Sequence, residues 1–83
     1  MISQESQELA RQAEWIYAHH LQASLEQAHA GAFVVIEPTS GEYFVGATLS
    51  EVIGAARRAH PHRVTYAIRI GHRTAVHLGT RLQ

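Results

Sequence analysis

Between residues 4 and 30, apolar side chains recur at three- and four-residue spacing: Leu9, Ala13, Ile16, Tyr17, Leu21, Leu25 and Ala28. That period predicts one long amphipathic helix, with Ser3 or Ser6 capping its start and Gly31 stopping it. Arg11, Gln12, Glu14, His19, Gln22 and Glu26 fall mostly off the stripe. About 27 residues at ~1.5 Å each span about 40 Å. A compact domain of this chain length is only about 25–30 Å across. The helix must therefore overhang, kink, or be covered by a second protomer. The overhang favours a homodimer with Leu9, Ala13, Ile16, Tyr17, Leu21 and Leu25 at its interface. The competing expectation is a helix that breaks near His19-His20 and folds back on itself.

The rest of the chain reads as ββαββ. In 33–46, FVVIEPTSGEYFVG, two β-rich runs flank Pro-Thr-Ser-Gly, which predicts a hairpin. Pairing Glu37 with Glu42 puts Val34, Ile36, Tyr43 and Val45 on one face and Phe33, Val35 and Phe44 on the other. Both faces are apolar, unlike a sheet with one wet side. One helix covers one face; the first helix, from its own chain or a neighbour, is the candidate cover for the second. Thr48-Leu-Ser-Glu51 has the form of a capping box. A helix over 49–60 follows, with Leu49, Val52, Ile53 and Ala56 inward, and Pro61 ends it.

Val64, Tyr66, Ile68 and Ile70 then alternate with Thr65, Ala67 and Arg69, the second set expected on an outer face. A closing strand over 74–78 is expected after a three-residue loop, Gly71-His72-Arg73. That loop opposes Ile68 to Val76, whereas a two-residue turn would oppose Ile68 to Ala75 and mix the faces. The class is thus α+β: a single domain over 1–83, with a long N-terminal helix and a four-stranded antiparallel sheet covered by helices. The expected strand order is 2-1-3-4.

Composition removes many activities. The 83 residues contain no Cys, Lys, Asp or Asn. Disulfides, thiolate catalysis, lysine Schiff bases and aspartate-oriented triads are excluded, and a cytoplasmic protein is expected. No run reaches the roughly 20 apolar residues of a membrane span. The net charge of zero divides sharply: residues 1–46 hold six Glu and one Arg, and 47–83 hold one Glu and six Arg. Such asymmetry suits self-association or an anionic partner.

Seven histidines invite a metal reading. His19 and His20 are adjacent, so they diverge on a helix, and His60, His62, His72 and His77 fall on a helix end, a loop, a turn and a strand. No ligand set converges, and neither metal nor cofactor is expected. Arg57, Arg58, Arg63 and Arg69, with Arg73, form a candidate anion-binding patch. The lack of Lys, the near-neutral charge and the scarcity of exposed aromatics argue against nucleic acid. Glu37 and Glu42 face each other at an expected exposed turn end, without a nucleophile or oxyanion loop. No catalytic residue is assigned, and the chain is expected to be non-enzymatic.

The segments GAFVVIEPTSGEYFVGATLSEVI, ARRAHPHR and IRIGHRTAVHLG resemble a family of small prokaryotic proteins frequent in cyanobacteria and archaea. That family shares a G-x-F-V-x-I-E-x-x-S/T-G-x-Y-x-x-G core and a closing R-I/V-G. The resemblance covers roughly residues 14–79 and implies no catalytic residue. The strand–strand–helix–strand arrangement is also similar to HicB-type antitoxins at the level of fold. That similarity implies an antitoxin-like or nucleic-acid-associated regulatory role as the alternative, with a partner protein encoded by a neighbouring gene.

Overall fold

The computed structural model describes residues 4–72 and the backbone of Ala75–Val76. The expected Ser3 cap, Arg73, Thr74 and His77 lie outside the described residues. The first helix runs as α1 (Gln4–Ile16), a π-helical turn (Tyr17–Leu21) and α2 (Gln22–His29). Across the turn, the Gln22 backbone N–H donates to the Tyr17 carbonyl, one residue further back than in an α-helix. Leu21 absorbs the change with φ −120 and ψ −30. The helix thus neither runs as a regular rod nor folds back at His19-His20.

The spacing of the stripe explains the turn. Leu9, Ala13, Tyr17, Leu21 and Leu25 recur every fourth residue. At about 100° per residue, a regular α-helix would leave Leu25 about 160° round from Leu9. One extra residue absorbed by a π turn reduces that offset to about 60°. Ala13, Tyr17, Leu21 and Leu25 are all buried, with Leu9 and Ile16 packed beside them. Helix regularity gives way to packing because four apolar side chains are worth more than one i→i−4 bond.

β1 (Phe33–Glu37) is central, paired antiparallel with β2 (Glu42–Gly46) on one side and β3 (Tyr66–Arg69) on the other. The hairpin register is the expected one, Glu37 opposite Glu42 and Val35 opposite Phe44. β3 lies beside β1, with Val34 opposite Ile68. These three strands form the body of the sheet. Of the expected closing strand, 74–78, only Ala75–Val76 (β4) is among the described residues, paired with the far side of β3.

That pairing corrects the expected register. Ile68 opposes Ala75, and Ala67 opposes Val76, the arrangement of a two-residue reversal at Gly71-His72. Gly71 sits at φ +86, where L side chains are strained, and the His72 N–H donates to the Arg69 carbonyl (3.2 Å). Over the two described residue pairs, the tight turn outweighs the alternation rule.

The sheet is covered on both faces by its own chain. On one face, Val34, Ile36, Tyr66, Ile68 and Ile70 pack under Ala13, Tyr17, Leu21 and Leu25. On the other, Val35 and Ala67 pack with Val52 and Ala56 of α3 (Leu49–Ala59), flanked by Phe33, Phe44, Leu49 and Ile53. The face expected to be outward is therefore interior: Thr65 and Ala67 are each 2% exposed. Polar threonine and small alanine read as surface residues, yet alanine is what lets a helix approach a strand closely. Gly46 does the same at the sheet's end, where a Cβ would stand 2.9 Å from Val52 Cγ1.

The start of α3 follows its sequence signal. Thr48 Oγ1 accepts from the Glu51 N–H (3.2 Å), and Glu51 Oε1 reaches back to the Ala47 N–H (3.1 Å). Glu51 thus meets the backbone one residue earlier than a capping box specifies. Thr48→Ala is expected to cost about 1 kcal/mol, measurable by urea denaturation, with no change in dimension or in the far-UV spectrum of the native state.

Candidate functional sites

The stripe assigned to a partner is spent within the protomer. Ala13, Tyr17, Leu21 and Leu25 are core residues, while Leu9 and Ile16 are half-buried against the same cluster. The physical reason is the second apolar face of the sheet, which needs a cover and lies within reach of the chain's own helix. The Tyr66 hydroxyl fastens that cover by donating to the Ser6 carbonyl (2.8 Å).

The four candidate anion-binding arginines do not converge. Arg57 and Arg58 are exposed on the last turns of α3. Arg63 lies 3.8 Å from the Glu37 carboxylate. Arg69 stands opposite Phe33 at the other end of the sheet, four residues from the Glu37 row, or about 13 Å along a strand. Its guanidinium lies over the Phe33 ring (5.6 Å), and its Nε donates to the Gly31 carbonyl (3.4 Å). Half of the expected patch is thus bound up in local structure.

The paired carboxylates also separate in role. Glu37 is 1% exposed and accepts from the Thr39 N–H (3.0 Å) and the Ser40 N–H (2.9 Å), closing the hairpin turn. Burial pushes its pKa up, but the hydrogen bonds from Ser40 and Thr39 together outweigh it and hold the carboxyl below its ordinary value. Glu42 instead pairs with His60 Nε2, whose ring meets Phe44 edge-on at 6.3 Å. The sequence signal was right about adjacency and about the exposure of Glu42, and wrong about the exposure of Glu37.

Histidines 19 and 20 belong to the π turn. His19 Nδ1–H donates to the Trp15 carbonyl (3.0 Å), and the Trp15 indole stacks on His19 (4.4 Å between centroids) with His20 at its edge (5.2 Å). Trp15, 54% exposed, is a surface feature that sequence reasoning passed over. Its signal was available: a lone tryptophan off the apolar stripe. Among the described residues, no group of three His or Glu side chains comes together as a metal site.

Two surfaces remain. The first is the outer edge of β2, free among the described residues, with Tyr43 45% exposed and Phe44 and Val45 half-buried. The second is a cleft of about 690 Å³ beside the π turn, lined by Glu14, Tyr17, Gln22, Glu26, Ile68, Gly71 and His72. Neither was anticipated, because each depends on which strand ends at the edge and which way the helix turns. No family model, curated protein or solved structure matches this chain. No helix among the described residues is long and apolar enough to cross a membrane.

Proposed function

We propose that this chain is a non-enzymatic, cytoplasmic interaction domain that forms a homodimer along the edge of β2, and not through the helical stripe. The carrying observation is that, among the described residues, β2 pairs only with β1 and continues unbulged through all five residues. Native edges are usually guarded by Lys, Pro, bulges or inward charges. Here the only charge is Glu42, already paired with His60. The strand is also self-complementary. An antiparallel pairing centred on Phe44 sets Phe44 against Phe44, Tyr43 against Val45, and Glu42 against Gly46 of the second copy. Aromatic and β-branched residues then meet across the two-fold while the glutamates stay apart.

The alternative, an antitoxin-like or nucleic-acid-associated role, needs its arginines on one surface. The distance between Arg63 and Arg69 along the sheet disfavours it. Light scattering coupled to gel filtration tests the choice. The wild-type chain should elute with a dimer's mass at micromolar concentration. Tyr43→Lys should elute as a monomer and keep the wild-type melting temperature once the dimer contribution is removed by dilution. A monomeric wild-type chain would sink the homodimer. A stoichiometric protein co-purifying from the native host would move the reading to the antitoxin-like alternative.

A further inference from the structure

We propose, resting on the edge dimer above, that His60 makes dimerisation through β2 depend on pH, tightening it when the ring is protonated. Glu42 is the only charged residue on β2. It shares a face with Phe44 and Gly46, two and four residues on, and that face packs against α3. His60 caps the C-terminal end of α3, where its N–H donates to the Ala56 carbonyl (2.7 Å). From there its ring lies edge-on to Phe44 (6.3 Å), and its Nε2 meets the Glu42 carboxylate.

Self-pairing of β2 gives that contact its consequence. With Phe44 on the two-fold, Glu42 stands opposite Gly46 of the second copy. Directly opposed Cβ positions are about 5 Å apart, and Glu51 Oε1 lies 3.1 Å from where a Gly46 Cβ would be. The pairing therefore carries Glu42 of each copy toward Glu51 of the other, on one face of the continuous sheet. A like-charge contact arises at each end of the pairing, and each opposes association. A positive ring on Glu42 cancels one of the two charges at each end. A neutral ring keeps the contact, with Nε2–H donating to the carboxylate, but leaves the repulsion in force. Charges on an edge are a usual guard against pairing; here a proton removes the guard.

Histidine is the side chain whose charge ordinarily changes between about pH 5 and 8. The charged groups around His60 are mostly of other kinds. Glu42 faces it from β2, and Glu37 stands opposite Glu42 on β1. Arg63, in the loop after α3, lies 3.8 Å from the Glu37 carboxylate. Arg57 and Arg58 occupy the last turn of α3 itself, and His62 is exposed two residues on. Carboxylates and guanidinium groups ordinarily hold their charge between about pH 6 and 8, so His62 is the described neighbour that needs a control. A permanent cation at position 60 would leave the edge open at every pH, whereas histidine ties it to acidity.

Dimer dissociation constants from sedimentation equilibrium at about pH 6 and about pH 8, at one ionic strength, provide the test. The wild-type dimer should be about tenfold tighter at the lower pH. His60→Gln should lose that difference and stay at the weaker value, while His62→Gln keeps it. Glu42→Gln lacks the guard and should hold the tighter value at both pH values. A wild-type dimer of equal affinity at both would overturn the switch and leave the edge dimer standing. So would a pH difference that survives in folded His60→Gln or, if that variant does not fold, in Glu42→Gln. A wild-type chain that is monomeric at both pH values overturns the edge dimer, and the switch with it.

Discussion

Inserting one alanine between Gln22 and Ala23 is expected to destabilise the protein by about 3 kcal/mol or more. The insertion rotates everything before it by about 100° relative to everything after it. Leu9, Ala13, Tyr17 and Leu21 cannot then share a face with Leu25, and apolar side chains must leave the sheet or the Tyr66–Ser6 hydrogen bond at the far end of α1 must break. Exposing one or two large apolar side chains costs about 1.5–3 kcal/mol each, a fall of roughly 10–20 °C in a domain of this size. Deleting His19 is the complement. It restores i→i−4 bonding through Tyr17–Leu21 and leaves Leu9 and Leu25 fifteen residues apart, the same offset of about 60° that the π turn produces. The deletion should therefore cost no more than about 1 kcal/mol, the size of the lost His19 stack and hydrogen bond. A deletion variant that melts as low as the insertion variant in calorimetry would show that the π turn does not absorb an extra residue for the core.

Glu37→Ala is expected to cost about 2–4 kcal/mol, since it strips two backbone N–H groups of a charged, buried acceptor. Glu37→Gln keeps part of the geometry and should cost less. The carboxyl also makes stability depend on acid. Its folded pKa lies below the ordinary 4.5, so the unfolded chain binds the proton more readily than the native one. The stabilisation is complete above pH 4.5 and is lost as pH falls through the lower folded value. Urea midpoints of the wild type should therefore drop on acidification more than those of Glu37→Gln. Parallel midpoints for the two proteins would mean that Glu37 titrates alike in both states.

Much of the architecture was legible because it rests on local signals. The hairpin register followed from Pro38-Thr39-Ser40-Gly41 and alternation, and the cap of α3 from Thr48 and Glu51 three residues apart. The burial of Glu37 was not legible. Its sequence neighbours are turn residues, and only the folded hairpin brings Thr39 and Ser40 N–H groups onto its oxygens while the sheet removes water. Thr65 and Ala67 were misread for a related reason. A small or polar residue is compatible with either side of a sheet, and only the path of α3 decides which.

By itself, the sequence determined an α+β class, a long amphipathic first helix and a sheet with two apolar faces. Those are consequences of periodicity, which each segment carries within itself. It even held the cause of the π turn, in five apolar residues spaced by four where an α-helix repeats every 3.6. Only the tertiary structure decided that the helix covers its own sheet instead of a partner's. Only there does the turn at Gly71-His72 resolve to the tighter register, and only there do Tyr17, Gln22 and Glu26 line one cleft. Those outcomes depend on which distant surfaces meet, and a contact between residues far apart in the chain leaves no period in the sequence to read.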